Sequence, residues 1–146
     1  MDPVEHCLSR IKAEESMREK CRRRGLEENE HSALDEIKDA IGVRIVCAFV
    51  DDVFMIKDHI KRFDDIEVIN EKDYINNAKP NGYRSYHMII KVLPEKWKGG
   101  LSRAYYIEIQ LRTISMDTWA AQASCSICRH MLTSFREGNI HSRQCR

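Results

Sequence analysis

The sequence has no long apolar run and almost no net charge. Its most apolar stretch, residues 43–53, is interrupted by Arg44, Asp51 and Asp52, so it does not predict a membrane-spanning helix. The start of the chain lacks the basic and then apolar order of a signal peptide, which favours the cytoplasm. The 24 Lys and Arg nearly balance the 23 Asp and Glu, leaving a net charge of +1. We therefore do not expect a protein that coats nucleic acid or membranes, and any anion site must be local.

The sequence also lacks repeats, low-complexity segments and an even cysteine framework. Its six cysteines, at positions 7, 21, 47, 125, 128 and 145, have no regular spacing, so we expect reduced thiols rather than disulfides. A chain of 146 residues with 42% hydrophobic side chains fits one domain with one core.

Hydrophobic spacing predicts an α+β domain. A basic helix is expected from Arg10 to Arg24, and the spacing of Leu34, Ile37 and Ile41 is helical up to Gly42. The β-branched string VRIVCAFV predicts a buried strand, and Asp51 or Asp52 is expected to cap the helix that follows. Three further strands are predicted at residues 66–69, 86–93 and 104–113, and a last helix begins near Ser115 or Asp117. The simplest arrangement is a set of helices against one mixed sheet.

The strand at residues 104–113 carries polar side chains in alternation with apolar ones. Glu108, Gln110 and Arg112 share the face opposite Ile107, Ile109 and Leu111. Exposure to water would explain that polar face equally well. Asp39 lies just before the strand that begins at Val43, and if the two strands are neighbours, Asp39 and Glu108 approach one another. Two carboxylates beside phosphate oxygens are what a Mg²⁺ ion requires.

The string KPNGYRSYH forms a loop with an unusual combination of groups. It contains a cation at Lys79, a glycine at position 82 and aromatic rings at Tyr83 and Tyr86. Ser85 and His87 lie two positions apart and are predicted to point the same way. An ordinary turn explains the Asn-Gly pair alone, but the full string is more specific and offers a ring on which a purine could stack.

Four strings together resemble one family. RIKAEESMREK resembles the RxKxxxSxxxK element of RelA/SpoT-type synthetases, and DAIGVRIVC resembles their D-I-A-G-[IV]-R-I segment. KDYINNAKPNGYRSYH is similar to the guanine-binding loop, and YIEIQLRTISMDTWA to the E-[IV]-Q-[IL]-R-T strand and its helix. The four occur in the family's order over about residues 8–122. The resemblance implies a small alarmone synthetase with a nucleotidyltransferase-like mixed β-sheet flanked by helices.

The resemblance also implies an activity and a set of site residues. A GTP/GDP pyrophosphokinase would move pyrophosphate from ATP to the ribose 3′-hydroxyl of GDP or GTP, making the (p)ppGpp of the stringent response. Arg10 and Lys12 would hold the ATP phosphates, with Ser16 and Lys20 in support. Asp39 would be the main Mg²⁺ ligand. Glu108 would help to hold the metal and act as general base.

The acceptor nucleotide would be bound by the loop and by the polar face of the late strand. Tyr83 is the residue on which the guanine would stack. Lys79, Asn81 and His87 match the polar positions that hold the acceptor nucleotide, and Gln110 and Arg112 would support them. ATP and GDP or GTP are therefore the expected partners, with no membrane and no nucleic acid expected.

The sequence departs from the family pattern at both ends. Only nine residues precede the RxKxxxS-like element, and the pattern is lost after Trp119, so we expect a synthetase domain over residues 1–122 with a partial start. Residues 123–146 are expected to be a diverged and poorly ordered tail. Its CxxC pair, Cys125 and Cys128, lacks a second pair, and unpaired thiols are a simpler interpretation than zinc. A homo-oligomer remains open. Assemblies in the family use terminal helices, which this sequence is expected to lack, so the resemblance alone does not predict one.

Two other functional classes remain open on the sequence alone. The first is a catalytically impaired guanine-nucleotide-binding module with the same fold. The second is an RNA-binding domain that uses the basic start and the aromatic loop.

Overall fold

The computed structural model describes residues 2–92 and 104–124, which form a mixed sheet flanked by helices. The strands are β1 (Val4–Ile11), β2 (Ile41–Cys47), β3 (Ile66–Asp73), β4 (Tyr86–Val92) and β5 (Tyr105–Thr113). The helices are α1 (Glu14–Arg24), α2 (Val50–Ile60) and α3 (Ile114–Ser124), and a π-helical turn spans Ser32–Glu36. The predicted α+β class with one mixed sheet is confirmed.

The strands lie in the order β1-β2-β5-β4-β3. Strands β2 and β5 are parallel, and every other neighbouring pair is antiparallel. The register places Gly42 of β2 opposite Glu108 of β5 on one side and opposite Arg10 of β1 on the other. The condition set by the sequence, that the strand after Asp39 neighbours the strand of Glu108, is therefore met.

One face of the sheet forms the core with α2. Val53 and Ile60 of α2 pack with buried residues of the strands, among them Met88 and Leu111. A smaller cluster fixes α1 against the π-helical turn and consists of Met17, Cys21, Ile37 and Ala40. Burial of the apolar sides of β2, β4 and β5 leaves their polar sides on the opposite face, where the candidate site lies.

The prediction of a helix beginning at Arg10 is wrong for its first residues. Arg10 belongs to β1, which pairs antiparallel with β2 from Val4 to Ile11, so sheet pairing overrides the helix-forming composition of this segment. Helix α1 begins only at Glu14. Acidic residues lie in its first turn and basic residues in its last, as the helix dipole favours. Gly25, with φ of +69°, ends α1 in the left-handed conformation that glycine adopts without strain.

The helix predicted up to Gly42 is also wrong. This segment has a single π-helical turn, Ser32–Glu36, and then Lys38 adopts a φ of +59°. Ile41 is already the first residue of β2. A left-handed φ at a lysine costs free energy of about 1–3 kcal/mol and is usually found where the surrounding structure requires it. Here it turns the chain at the residue before Asp39.

Other boundaries differ from the predictions by a few residues. Helix α2 begins at Val50, so Asp51 and Asp52 lie in its first turn and do not cap it from outside. The Asp52 carboxylate accepts a hydrogen bond from the backbone N–H of Phe49 at 3.2 Å. Strand β3 continues to Asp73, because its polar second half still pairs with β4.

Some predictions concern residues that the structure does not describe. The loop at Gly99 and Gly100 lies outside the described residues, as do the CxxC pair and the remainder of the tail from residue 125. Among the helices that are described, none has the length and apolar character needed to cross a membrane.

Replacement of Leu111 by alanine is predicted to destabilise the fold strongly. Leu111 is fully buried at the centre of the sheet, and loss of its side chain leaves a cavity that costs about 2–5 kcal/mol of unfolding free energy. Urea unfolding followed by circular dichroism measures this cost. Met55→Ala, at an exposed position of α2, is the control and should change the free energy by less than about 0.5 kcal/mol. Equal effects of the two changes would contradict the assigned core.

The described cysteines are predicted to differ in reactivity. Cys7 is exposed, whereas Cys21 and Cys47 are buried, and burial raises the pKa of the Cys47 thiol to about 11, with the Asp52 carboxylate adding to the shift. Iodoacetamide at about pH 8 should therefore label Cys7 first, because the thiolate is the reactive form. Peptide mapping by mass spectrometry should find Cys21 and Cys47 unlabelled until urea unfolds the protein. Early labelling of Cys47 would show that this packing is wrong.

Candidate active site

Asp39 is a nearly buried carboxylate at the entrance to β2. Its Oδ2 atom accepts hydrogen bonds from Lys12 Nζ at 2.6 Å and from the ammonium group of Lys20. Lys12 lies between β1 and α1, and Lys20 lies on α1, so two elements meet at this carboxylate. The other oxygen, Oδ1, is buried and has no hydrogen-bond partner among residues 2–92 and 104–124. A buried acceptor without a partner is costly, so a donor or cation that reached Oδ1 would be stabilised there.

Gly42 leaves room for Arg10 beside these groups. A Cβ atom at position 42 would lie 3.7 Å from Cγ of Arg10 and 3.8 Å from its Nε, so the arginine side chain runs over the glycine. A cleft of about 300 Å³ opens here, and its lining includes Arg10, Lys12, Arg44, Glu108 and Gln110. A second cleft, of about 450 Å³, shares Arg10 and Arg44 and reaches Tyr83, Arg112 and Trp119. The two arginines therefore face both clefts.

Glu108 lies on the polar face of β5 with a donor near each carboxylate oxygen. Nδ1 of His87 is 3.5 Å from Oε1, which is the upper limit for a hydrogen bond, and Gln110 Nε2 donates to Oε2 at 3.3 Å. The interaction with His87 is the largest cause of a lowered pKa of Glu108; Lys12 and Gln110 also lower it, and burial opposes them. Glu108 is therefore held as a carboxylate, and Lys12 acts electrostatically on it while pairing with Asp39.

Tyr83 lies in a group of rings at the end of this face. Its ring makes edge contacts with Tyr74, His87 and Trp119, at centroid distances of 6.1, 5.9 and 6.3 Å. The Lys79 ammonium lies 5.0 Å from the Tyr83 centroid and 4.5 Å from that of Tyr74. Lys79 is exposed and flexible, so it can leave the ring when a flat ligand stacks there.

Arg112 connects the aromatic ring of Tyr83 with the surroundings of Glu108 through hydrogen bonds. Its guanidinium is buried and donates to Ser85 Oγ, Asp117 Oδ1, the Tyr83 hydroxyl and Gln110 Oε1 at distances of 3.3, 2.9, 2.6 and 2.9 Å. Ser85 is itself fully buried, donates to the carbonyl of Leu111 and accepts from Arg112, so it supports the arginine. Its hydroxyl meets Arg112 and His87 meets Glu108, both on the polar face of β5, which agrees with the predicted common direction of Ser85 and His87.

The residues present suit a hard divalent cation only in combination with a ligand that brings oxygen atoms. In the described part of the chain, no three His, Cys, Asp or Glu side chains form a metal-binding group. The unpartnered Oδ1 of Asp39 and the ionised Glu108 are nevertheless the oxygen donors that Mg²⁺ prefers. Mg²⁺ is commonly held by one or two carboxylates together with phosphate oxygens, so the donor set fits that ion in the presence of a nucleotide.

This arrangement coincides with a match to a known family. A family model described as a region found in RelA / SpoT proteins matches residues 9–129, which include every element of the site. The chain belongs to the RelA/SpoT family. The resemblance of the four sequence strings is therefore confirmed at the level of the family.

Curated relatives in the RelA/SpoT family are GTP pyrophosphokinases of Bacillus subtilis. The chain is 41% identical to YwaC over 122 residues, covering 82% of this chain and 56% of the relative. It is 34% identical to YjbM over 138 residues, covering 94% of this chain and 60% of that relative. The chain thus spans somewhat more than half the length of these relatives.

Solved structures from the RelA/SpoT family share the fold. Small alarmone synthetase 1 from Bacillus subtilis, bound to its product pppGpp, is 33% identical and aligns with a TM-score of 0.70 over 94% of this chain and 66% of that one. A GTP pyrophosphokinase family protein from Streptococcus pneumoniae is 32% identical, with a TM-score of 0.72 over 97% and 64% of the two chains. These likenesses agree with the predicted nucleotidyltransferase-like sheet.

Most of the predicted site residues lie together on the polar face. Those that line the clefts or contact the acidic and aromatic groups are Arg10, Lys12, Lys20, Asp39, Lys79, Asn81, Tyr83, His87, Glu108, Gln110 and Arg112. Lys20 contacts Asp39 directly. Asn81 also shapes the loop, because its Oδ1 accepts from the Tyr83 backbone N–H at 3.1 Å. Ser16 is exposed on α1, one turn before Lys20.

Four residues of the candidate site were not predicted from the sequence. Arg44 lies two positions from Gly42 on β2, so strand alternation could have placed it on the site face. Tyr74 belongs to the loop string but lies far from Tyr83 in sequence. Asp117 and Trp119 of α3 reach the site only because α3 folds back toward β2 and β5, which local sequence does not indicate.

The two lysines are predicted to stabilise Asp39 redundantly. Lys12→Met or Lys20→Met leaves one ammonium group on the carboxylate, whereas the double variant leaves a nearly buried charge unpaired, at a cost of about 3–5 kcal/mol of unfolding free energy. The double loss should exceed the sum of the single losses. Adding Asp39→Asn to the double variant should restore part of the stability. Urea unfolding of the unaltered chain and of the four variants measures the coupling, and simple additivity would contradict it.

Proposed function

We propose that the chain is an ATP-dependent pyrophosphokinase that transfers pyrophosphate to the ribose 3′-hydroxyl of GDP or GTP. The observation that carries the proposal is the register of β2 and β5, which sets Glu108 opposite Gly42 while Lys12 interacts with both Asp39 and Glu108. The names of the Bacillus subtilis relatives, GTP pyrophosphokinases, agree with this chemistry. The product would be the (p)ppGpp of the stringent response, formed in the cytoplasm where both nucleotides occur.

The donor nucleotide would occupy the cleft lined by Arg10, Lys12 and Arg44. In phosphoryl-type transfer the protein mainly positions the reacting groups and neutralises charge on the transferred oxygens. Guanidinium groups supply two donors in a plane and suit phosphate oxygens, so Arg10 and Arg44 can hold the polyphosphate on one side. Lys12 lies nearer the carboxylates and would face the phosphate that is transferred. Small alarmone synthetase 1 bound to AMPCPP aligns with this chain with a TM-score of 0.63 and 28% identity.

A Mg²⁺ ion would be held by Asp39 Oδ1 and Glu108 together with phosphate oxygens. When bound, it supplies charge neutralisation at the polyphosphate. Lys12 and Lys20 occupy Oδ2 of Asp39, so the free Oδ1 is the atom of that residue suited to an ion.

The acceptor nucleotide would use the aromatic end of the face. Tyr83 offers a ring for the guanine once Lys79 moves aside, and Lys79 is then near enough to meet an acceptor phosphate. His87 lies between this ring and Glu108, so a nucleoside stacked on Tyr83 would present its ribose toward Glu108. As a carboxylate, Glu108 can accept the proton of the 3′-hydroxyl as that oxygen attacks the β-phosphorus of ATP. The bond from the β-phosphorus to the α–β bridging oxygen would break, and AMP would leave with that oxygen.

The test is turnover by Glu108→Gln beside the unaltered chain. With ATP, GDP and Mg²⁺, the unaltered chain should yield a guanosine product with pyrophosphate on the 3′ oxygen, detected by anion-exchange chromatography and phosphorus NMR. Glu108→Gln removes the proton acceptor and should lower kcat by about 10²–10⁴-fold. Its affinity for GDP, measured by calorimetry, should change little, because the Tyr83 ring remains.

Glu67→Gln provides the matched control. Glu67 is an exposed glutamate on the edge strand β3, paired only loosely with Lys91 at 3.7 Å, and its loss should leave turnover unchanged. Binding of GDP without product by the unaltered chain would instead identify an impaired nucleotide-binding module. Salt-sensitive binding of single-stranded RNA that falls on Tyr83→Ala, again without turnover, would identify an RNA-binding domain.

A further inference from the structure

Asp117 of α3 holds two arginines of the sheet with one carboxylate oxygen. Its Oδ1 lies 2.9 Å from Nη1 of Arg112 and 3.3 Å from Nη1 of Arg44. The Arg112 side chain is only 6% exposed and that of Asp117 20%, so this is a largely buried ion pair. An aspartate in the first turn of a helix usually interacts with that helix's own free N–H groups. Here it is instead directed to the sheet.

The direction of hydrogen bonding beyond Arg112 follows from its chemistry. A guanidinium can only donate, so Nη2 donates to the Tyr83 hydroxyl oxygen at 2.6 Å. The Tyr83 hydroxyl proton then requires an acceptor, and the atom 2.8 Å away is Nε2 of His87. With Nε2 accepting, a neutral His87 carries its proton on Nδ1, the nitrogen that faces Oε1 of Glu108 at 3.5 Å.

A second branch leads from the same guanidinium to the other oxygen of Glu108. Arg112 Nη2 donates to Oε1 of Gln110 at 2.9 Å, so the amide oxygen of Gln110 must face Arg112. The Gln110 amide nitrogen therefore faces Glu108 and donates to Oε2 at 3.3 Å. Each oxygen of Glu108 thus faces a donor whose orientation is set by Arg112.

We propose that Asp117 is a positioning residue for this site. By holding Arg112 it fixes the Tyr83 hydroxyl and the Gln110 amide, and through them the Nδ1-protonated form of His87 beside Glu108. The same contact fixes the tilt of the Tyr83 ring, so the stacking platform and the carboxylate are aligned by one ion pair. The catalytic consequence rests on the proposed pyrophosphate transfer, but the state of His87 does not.

Asp117→Ala tests the proposal through the imidazole of His87. Long-range proton–nitrogen NMR of the unaltered chain should show His87 protonated on Nδ1. In Asp117→Ala, Arg112 loses its anchor, and His87 should shift toward the Nε2-protonated form that free histidine favours. Asp117→Asn retains an acceptor oxygen at the same place and should lie closer to the unaltered chain. A folded Asp117→Ala that keeps His87 fully protonated on Nδ1 would overturn the proposal.

Two further variants keep the test decisive. Tyr83→Phe removes only the hydroxyl and should release His87 in the same way, and combining it with Asp117→Ala should add nothing further. If circular dichroism shows Asp117→Ala to be unfolded, Tyr83→Phe decides, and an unchanged His87 in it would overturn the proposal. Asp51→Ala, in the first turn of α2, is the matched control and should leave His87 unaltered.

Kinetics separate this proposal from the proposed function. Asp117→Ala should lower kcat for 3′-pyrophosphate transfer roughly tenfold, a part of what a well-placed general base contributes. Unchanged kcat in a folded Asp117→Ala would overturn the catalytic role. If the unaltered chain forms no product while His87 responds as expected, the transfer reaction fails and the positioning by Asp117 is supported.

Discussion

The parallel pairing of β2 with β5 is the constraint on which the site depends. Asp39 lies before β2 and Glu108 lies within β5, almost 70 residues apart in sequence, and only this pairing brings the two regions together. Because the ladder sets Gly42 opposite Glu108, a slip of one residue would turn Glu108 toward the core. The apolar packing of α2 against the other face resists such a slip, so core stability and site geometry are secured by the same strand register.

The sequence predicted much of this arrangement where side-chain alternation is regular. Strand β5 alternates between apolar and polar positions from Ile107 to Arg112, so the two faces of this part could be assigned residue by residue. The same reasoning failed at the beginning of the chain, where the basic composition of residues 10–24 resembles a helix throughout. What decides the conformation of Arg10 is its partner Gly42, which lies 32 positions further along the chain. The intrinsic conformational preference of a short segment carries no information about so distant a partner.

Two other features could not be predicted from the sequence. The segment before β2 has apolar residues at helical spacing, yet a π-helical turn and the positive φ of Lys38 redirect it so that Asp39 faces the two lysines. Asp117 of α3 is the second feature. Its place in the first turn of a helix predicts only an ordinary interaction with the free N–H groups of that helix. Its actual partners are set by how α3 folds back on the sheet, and tertiary packing of this kind has no signature within a short window.

The exposure of β1 has a consequence for how a nucleotide would be held. This strand lies at one edge of the sheet, and seven of its eight residues are exposed, yet it carries Arg10. Outer strands with few buried contacts open more readily than central ones, so the arginine is attached to one of the more easily frayed parts of the fold. A nucleotide phosphate that binds Arg10 must also order β1, and this ordering reduces the net binding free energy. The affinity for the donor nucleotide would then depend on the local stability of β1 as well as on the charge of Arg10.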